Sequence, residues 1–214
     1  MNKTCYIIGA GENHGLDITA KSGDLIIAAD GGLNYAEAND ITADLIIGDF
    51  DSAAQKPTQG NIITLNGEKD HTDTLAAVHE GLSRGYNTFH IYCGTGGRIG
   101  HTLANIQTIA FLSENQTKGY LIDKDYVITA ITNSSIEFNE KCSGYISVFS
   151  NTDVSTGVYI KGLKYELENA KLTNTYPIGV SNEFTNTPAA IKVKNGTLII
   201  TFPRKHMKNL NNKN

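Results

Sequence analysis

Asp49 and Asp51 stand one residue apart in Leu45–Ser52, LIIGDFDS, directly after a short run of branched apolar residues. In extended backbone, residues two apart share a face and lie about 7 Å from one another at a rise of roughly 3.3 Å per residue. Two like charges at that distance repel by about 2 kcal/mol at an effective dielectric near 20. Such a pair adds no stability unless a cation sits between the carboxylates. Hard oxygen ligands at a strand end suit magnesium, which binds one or two carboxylates and fills its other positions from water and phosphate. The competing reading is an Asx turn, with Asp49 capping a loop and Ser52 opening a helix. The motif alone leaves both open. A second acidic stretch, Lys69-Asp70-His71-Thr72-Asp73-Thr74, opens the helical pattern Thr72–Arg84. One Asp there is an ordinary cap favoured by the helix dipole. Here two are interleaved with Lys69, His71 and Thr72, and a helix N-terminus also binds phosphate. With the first pair present, Asp73 reads as the carboxylate that closes a metal site with Asp49 and Asp51, while Lys69 and Thr72 contact phosphate.

Three glycine-rich stretches follow other apolar runs. Ala29-Asp30-Gly31-Gly32 reads, taken alone, as a helix cap with a tight turn. Cys93-Gly94-Thr95-Gly96-Gly97-Arg98-Ile99-Gly100-His101 leads into a helix. Its glycines free the backbone to wrap a ligand, and Arg98 supplies a planar fork that matches phosphate oxygens. His101 reads as a capping or structural histidine rather than a base. Gly9-Ala10-Gly11, with Asp30 about 20 residues later, imitates a dinucleotide fingerprint. Its third glycine position is His14, however, and the segment holding Asn13, Gly15, Ser22 and Gly23 makes a poor crossover helix. No GxxxxGK[ST] loop, kinase loop set, GxSxG or HExxH occurs.

These loops need strands to hold them. Cys5–Ile8, Leu25–Ala29, Leu45–Ile47, Ile62–Leu65 and Phe89–Cys93 read as strands, and Leu33–Asn39, Thr72–Arg84 and His101–Glu114 as helices. That alternation predicts a mostly parallel sheet with helices on both faces and ligands at the carboxyl ends of its strands. After about Gly119 the texture changes. Tyr120–Thr132, Ser135–Phe138, Gly144–Phe149, Val154–Ile160 and Ala189–Phe202 alternate, are rich in β-branched and aromatic residues, and predict an all-β sandwich or barrel. Asn195-Gly196, between alternating runs, predicts a type I′ hairpin with both turn residues at positive φ. The fold class is therefore α/β, an N-terminal parallel-sheet domain at 1–120 followed by a C-terminal β-sandwich at 121–207, with 208–214 as a frayed tail.

At 214 residues and net charge -4, the chain has no general attraction to nucleic acid or an anionic membrane. Its apolar runs are far short of the ~20 residues that span a bilayer, and the N-terminal run is too short for a signal peptide. Cys5, Cys93 and Cys142 are far apart with no CxxC, which predicts reduced thiols, no zinc site and a cytoplasmic address.

In order, ADGG at Ala29–Gly32, GDFDS at Gly48–Ser52, KDHTD at Lys69–Asp73 and GGR at Gly96–Arg98 resemble the thiamine pyrophosphokinase family. GLKYELENAKL at Gly162–Leu172 and GVSNEF at Gly179–Phe184 resemble that family's second domain. The resemblance implies an α/β catalytic domain followed by a β-sandwich, and transfer of the pyrophosphoryl group of ATP to thiamine with magnesium. It implies a homodimer with sites at the subunit interface. Asp49, Asp51 and Asp73 would hold the metal and, with Arg98, form the catalytic set. Asp30, Gly31, Lys69, Asp70, Thr72, Arg98 and His101 would bind ATP and its phosphates, and Ser181 and Asn182 would bind thiamine. One position departs: the family's GGRxDH reads GGRIGH here, with Gly100 in place of an acid. Three alternatives stand beside this reading. A nicotinamide-dependent oxidoreductase would use Gly9, Gly11 and Asp30 but leaves the acid cluster unexplained. A non-catalytic thiamine or nucleotide sensor would bind both ligands yet release no AMP. A sugar- or peptide-binding β module predicts exposed aromatic patches.

Overall fold

The computed structural model describes residues 3–50, 60–65 and 70–210. The chain divides into two compact units, residues 1–108 with 121–123 and residues 109–120 with 124–214. In the first unit β1 (Thr4–Ile8), β2 (Leu25–Ala29), β3 (Leu45–Gly48), β4 (Ile62–Thr64) and β5 (Thr88–Tyr92) lie in the order β5-β1-β2-β3-β4. Every neighbouring pair is parallel. Cys5, Ile7, Ile8, Ile27, Ala28, Ile47, Phe89 and Ile91 are fully or almost fully buried, as a continuous apolar run in a parallel sheet requires. Both the strands and the parallel arrangement match the sequence expectation, with ends shifted by about one residue.

Among the described residues three helices flank these strands: α1 (Gly32–Glu37), α2 (Asp73–Ser83) and α3 (Ile99–Glu114); the last, like β6 (Lys118–Ile122), contributes residues to both units. The buried residues of α2 are Thr74, Ala77, Val78 and Gly81, a stripe at i, i+3, i+4 and i+7. The helices lie close to the sheet. A Cβ at Gly81 would come within 2.6 Å of the Phe89 ring, and one at Gly32 within 1.9 Å of the Ile8 carbonyl oxygen. The second glycine of ADGG is thus set by the approach of α1 to β1.

The second unit is antiparallel. It contains β7 (Tyr126–Thr132), β8 (Ser135–Phe138), β9 (Tyr145–Ser150), β10 (Val154–Lys161), β11 (Leu167–Thr173), β12 (Asn182–Glu183), β13 (Ala189–Lys192) and β14 (Thr197–Pro203). They form the orders β12-β9-β14-β7 and β11-β10-β13-β8. Phe138 of β8 meets Phe202 of β14 and Phe184 edge to face, each at 5.2 Å, so aromatic rings from both sheets share one core.

Three expectations need correction here. Asn195-Gly196 is not a hairpin turn: β13 pairs with β10 and β8, while β14 pairs with β7 and β9. Only Gly196 of the two has positive φ, at 113°. The connection instead crosses from one sheet to the other, held where Gly196 N–H donates to Asn133 Oδ1 at 2.9 Å and Asn195 bridges Thr156. Two apolar strands flanking a turn-former, β13 with alternate residues buried and β14 buried almost throughout, read the same in a crossing between sheets as in a hairpin. Next, β11 was not expected. Its sequence, LENAKLT, buries only Leu172 and carries polar residues along most of its length, as suits an exposed edge strand. Finally, the tail is ordered further than expected. Arg204–Asn209 form a 3-10 turn, and Leu210 bridges Phe138; residues 211–214 lie outside the described residues.

Candidate functional site

The parallel strands bring their carboxyl ends to one edge, and the chain turns sharply at each. Asp30 after β2, Phe50 after β3 and Cys93 after β5 have φ of 49°, 54° and 53°, left-handed backbone that β-carbons disfavour. Phe50 and Cys93 are buried, so neither conformation serves a solvent-exposed turn. Strained residues of this kind gather where a chain holds a ligand. Along this edge opens a cavity of about 310 Å³.

The cavity brings together five of the predicted residues: Asp30, Thr72, Asp73, Arg98 and His101 line it, with the glycines Gly11, Gly94, Gly96 and Gly97. Thr72 caps α2, its Oγ1 accepting from Leu75 N–H at 3.2 Å, and Asp73 is the first residue of that helix. The N-terminal end of an 11-residue helix, positive in its dipole, therefore opens on the cavity. Asp49, half-buried, directly follows β3 at the same sheet edge, and Gly31 precedes α1, where a Cβ would meet Ala10 Cβ at 3.3 Å. Asp70 is exposed just ahead of α2. Asp51 and Lys69 lie outside the described residues. Among the described residues no three His, Cys, Asp or Glu side chains gather to hold a metal. Asp49 and Asp73 supply hard carboxylate oxygens at this edge, the donor type magnesium takes, and the third expected ligand is Asp51.

The glycine loop after β5 is fastened to its surroundings. Gly9 N–H donates to Tyr92 O, Gly11 N–H to Cys93 O and Glu12 N–H to Thr95 O, at 2.9, 2.7 and 2.9 Å. A Cβ at Gly11 would lie 2.4 Å from Thr95 O, so Gly9-Ala10-Gly11 serves the meeting of two strand-end loops. No helix follows it before β2, and the dinucleotide reading loses the helix N-terminus it requires. Asn105, not expected from sequence, is buried and donates from Nδ2 to Gly94 O at 2.7 Å. No local signal marked it: Gln107, an amide two residues on in α3, is exposed, and only burial obliges Asn105 to find a partner. At Gly100 a Cβ would meet nothing within 4 Å.

Ser181 and Asn182 belong to the second unit. Asn182 is buried. Its Oδ1 accepts from Tyr165 N–H at 3.0 Å and Glu183 N–H at 2.9 Å, and its Nδ2 donates to Tyr165 O at 2.7 Å. This amide fastens the Tyr165 loop to β12. Ser181 is exposed, has φ of 57°, and donates from its N–H to Ser147 Oγ at 3.1 Å. Around them Tyr145, Tyr165, Tyr176, Ile178 and Val180 are exposed. Among the described residues no helix is long and apolar enough to cross a membrane.

Residues 16–121 match the family described as Thiamin pyrophosphokinase, catalytic domain, and residues 133–198 match Thiamin pyrophosphokinase, vitamin B1 binding domain. Over 161 residues the chain is 25% identical to Thiamin pyrophosphokinase 1 of Caenorhabditis elegans, covering 69% of this chain and 65% of that protein, just short of two thirds of its length. Over 160 residues it is 27% identical to Thiamine pyrophosphokinase of Bacillus subtilis, covering 72% and 75%. The crystal structure of the Bacillus subtilis enzyme superposes with a TM-score of 0.82 at 26% identity, covering 94% of this chain and 99% of that one. That of a Thiamin pyrophosphokinase family protein from Enterococcus faecalis gives 0.80 at 26%, covering 95% and 99%.

Proposed function

The chain belongs to the thiamin pyrophosphokinase family, and from that membership we propose that it transfers the pyrophosphoryl group of ATP to the hydroxyl of thiamine, giving thiamine diphosphate and AMP. The observation that carries this reading is the cavity at the strand ends, where Asp30, Thr72, Asp73 and Arg98 converge within the span matched to the catalytic domain. In this reading residues 1–120 bind ATP and 121–207 bind thiamine, with Ser181 and Asn182 in the thiamine pocket.

The hydroxyl oxygen of thiamine attacks the β-phosphorus of ATP. The bond from that phosphorus to the oxygen bridging the α- and β-phosphates breaks, and AMP leaves with the bridging oxygen. A carboxylate of this edge accepts the hydroxyl proton. Arg98 lays its fork on phosphate oxygens, and the N-terminus of α2 turns its positive end toward them. Asp30, Gly31, Lys69, Asp70, Thr72 and His101 complete the phosphate and nucleotide contacts. Asp49, Asp51 and Asp73 would hold magnesium, which when bound neutralises charge on the phosphate oxygens. Positioning and electrostatics, without a covalent intermediate, supply most of the rate.

The protein acts as a homodimer with its sites at the subunit interface; the exposed Tyr176, Ile178 and Val180 beside Ser181 support this, since apolar surface of that kind marks a partner. The cytoplasmic assignment is supported by Cys5, Cys93 and Cys142, three buried cysteines with no disulfide between them.

AMP release from ATP and magnesium, with and without thiamine, tests the reaction. Thiamine-dependent AMP that disappears with EDTA is the expected result. ADP in its place would mean attack at the γ-phosphate and overturn the mechanism. Thiamine binding without nucleotide turnover would mean a sensor instead.

A further inference from the structure

The loop that carries Arg98 is intrinsically loose: Gly96 and Gly97 sit at φ of 77° and 58°. It is braced from two sides by groups outside the cavity. On one side Glu12 N–H donates to Thr95 O at 2.9 Å, and Glu12 Oε1 accepts from Gly97 N–H at 3.2 Å. On the other, Thr95 Oγ1 donates to Asp123 Oδ1 at 2.8 Å. His14 Nε2 stands between the two acids, 3.5 Å from Glu12 Oε2 and 3.4 Å from Asp123 Oδ1. A Cβ at Gly96 would come within 2.4 Å of Glu12 Cδ, so the carboxylate lies directly against the loop and only glycine leaves it room.

We propose that Glu12, backed by His14 and Asp123, is a positioning residue that holds the Gly94–Arg98 loop in the form in which Arg98 reaches the cavity, and so sets the affinity for the triphosphate. This rests on the function proposed above. Glu12 itself does not line the cavity; it acts through Gly97, the residue before the arginine. An N–H bonded to a carboxylate is stronger than one bonded to a neutral acceptor. At 59% side-chain exposure, solvent competes for that carboxylate and keeps the effect modest.

The test compares the full-length chain with Glu12→Ala and Glu12→Gln, an exposed site where neither change disturbs the core. Steady-state kinetics in ATP are read beside amide exchange of Gly97 without nucleotide. Glu12→Ala should raise KM for ATP about three- to tenfold with kcat within about twofold, the loss of one partly solvated charged hydrogen bond. Gly97 should exchange faster in that variant. Glu12→Gln should fall between wild type and Glu12→Ala in both, because its amide oxygen still accepts from Gly97 but without the charge. Unchanged KM and exchange in Glu12→Ala would overturn the proposal. So would a Glu12→Gln as impaired as Glu12→Ala, since the charge would then act on substrate directly. Should the unaltered chain release no AMP at all, the function fails, and the exchange of Gly97 alone still decides the brace.

Discussion

At the scale of single residues, charge and backbone geometry carry the chemistry. Asp73 occupies the first position of α2 and lines the cavity, so its carboxylate meets both the helix dipole and the ligand space. Asp73→Asn keeps the shape and removes the charge. It should cost the fold at most about 1 kcal/mol through the lost dipole interaction. Turnover should fall by about a hundredfold or more, as when a charge-stabilising group leaves an active site. Thermal melts and AMP release would check both, and wild-type turnover would remove Asp73 from the metal set. Gly100 is the opposite case. It lies in the first turn of α3 with open space where a Cβ would stand. Gly100→Asp should raise stability by about 0.5–1 kcal/mol, because glycine is a poor helix former and an acid suits this end of the helix. AMP release should change by less than about twofold if Asp30, Asp49 and Asp73 suffice at this edge. A large gain would mean that the missing acid limits the enzyme.

At the scale of elements, legibility followed burial. β1, β2, β3 and β5 were readable because parallel strands covered on both faces become apolar runs, each closed by a glycine or an acid that turns the chain. The same logic exposed Asp30 and Arg98, in the loops where two of those runs stop, while Thr72 and Asp73 were marked by the opening of α2. Glu12, Thr95, Asn105 and Asp123 escaped notice because each acts on a loop far away in sequence, and no local pattern marks such bonds. Asn195-Gly196 misled for a related reason: local turn preference cannot tell a hairpin from a crossing between two sheets that share one core. β5 also carries a titration. Burial pushes the His90 imidazole down to about 4, partly offset by Asp24. His90 is therefore neutral in the folded chain and takes up a proton on unfolding below its ordinary value near 6.5. Its contribution to stability is complete above about pH 6.5 and is lost as pH falls toward 4. Urea unfolding should show a loss of about 1–2 kcal/mol between pH 7 and pH 5. His90→Phe, which keeps the ring against Tyr6, should flatten that slope. An unchanged slope would assign it to other groups, of which His206, lowered by burial, is the next.

At the scale of the whole molecule, the second unit carries a run of exposed apolar side chains. Tyr176 is 70% exposed, Ile178 52% and Val180 50%, along one segment. Val148 N–H donates to Gly179 O at 2.9 Å, which seats that segment on β9, and Tyr145 and Tyr165 stand exposed nearby through their bonds to Glu183 and Asn182. A stable interface buries about 800 Å² per partner around an apolar or aromatic centre, and this patch has the composition of one. A second copy of the chain is the simplest occupant, because a two-fold interface places the same residues on both sides. Sedimentation at micromolar concentration should then give about 46 kDa, twice the 23.1 kDa of one chain. Ile178→Asp would put a charge into that patch on both copies of a chain already at net charge -4, so repulsion and lost burial act together. That variant should sediment as a monomer with its melting temperature nearly unchanged, since Ile178 lies outside the core. Its AMP release should fall with the dimer and recover as protein concentration rises. Full turnover by a monomer at every concentration would show that each chain completes its own site.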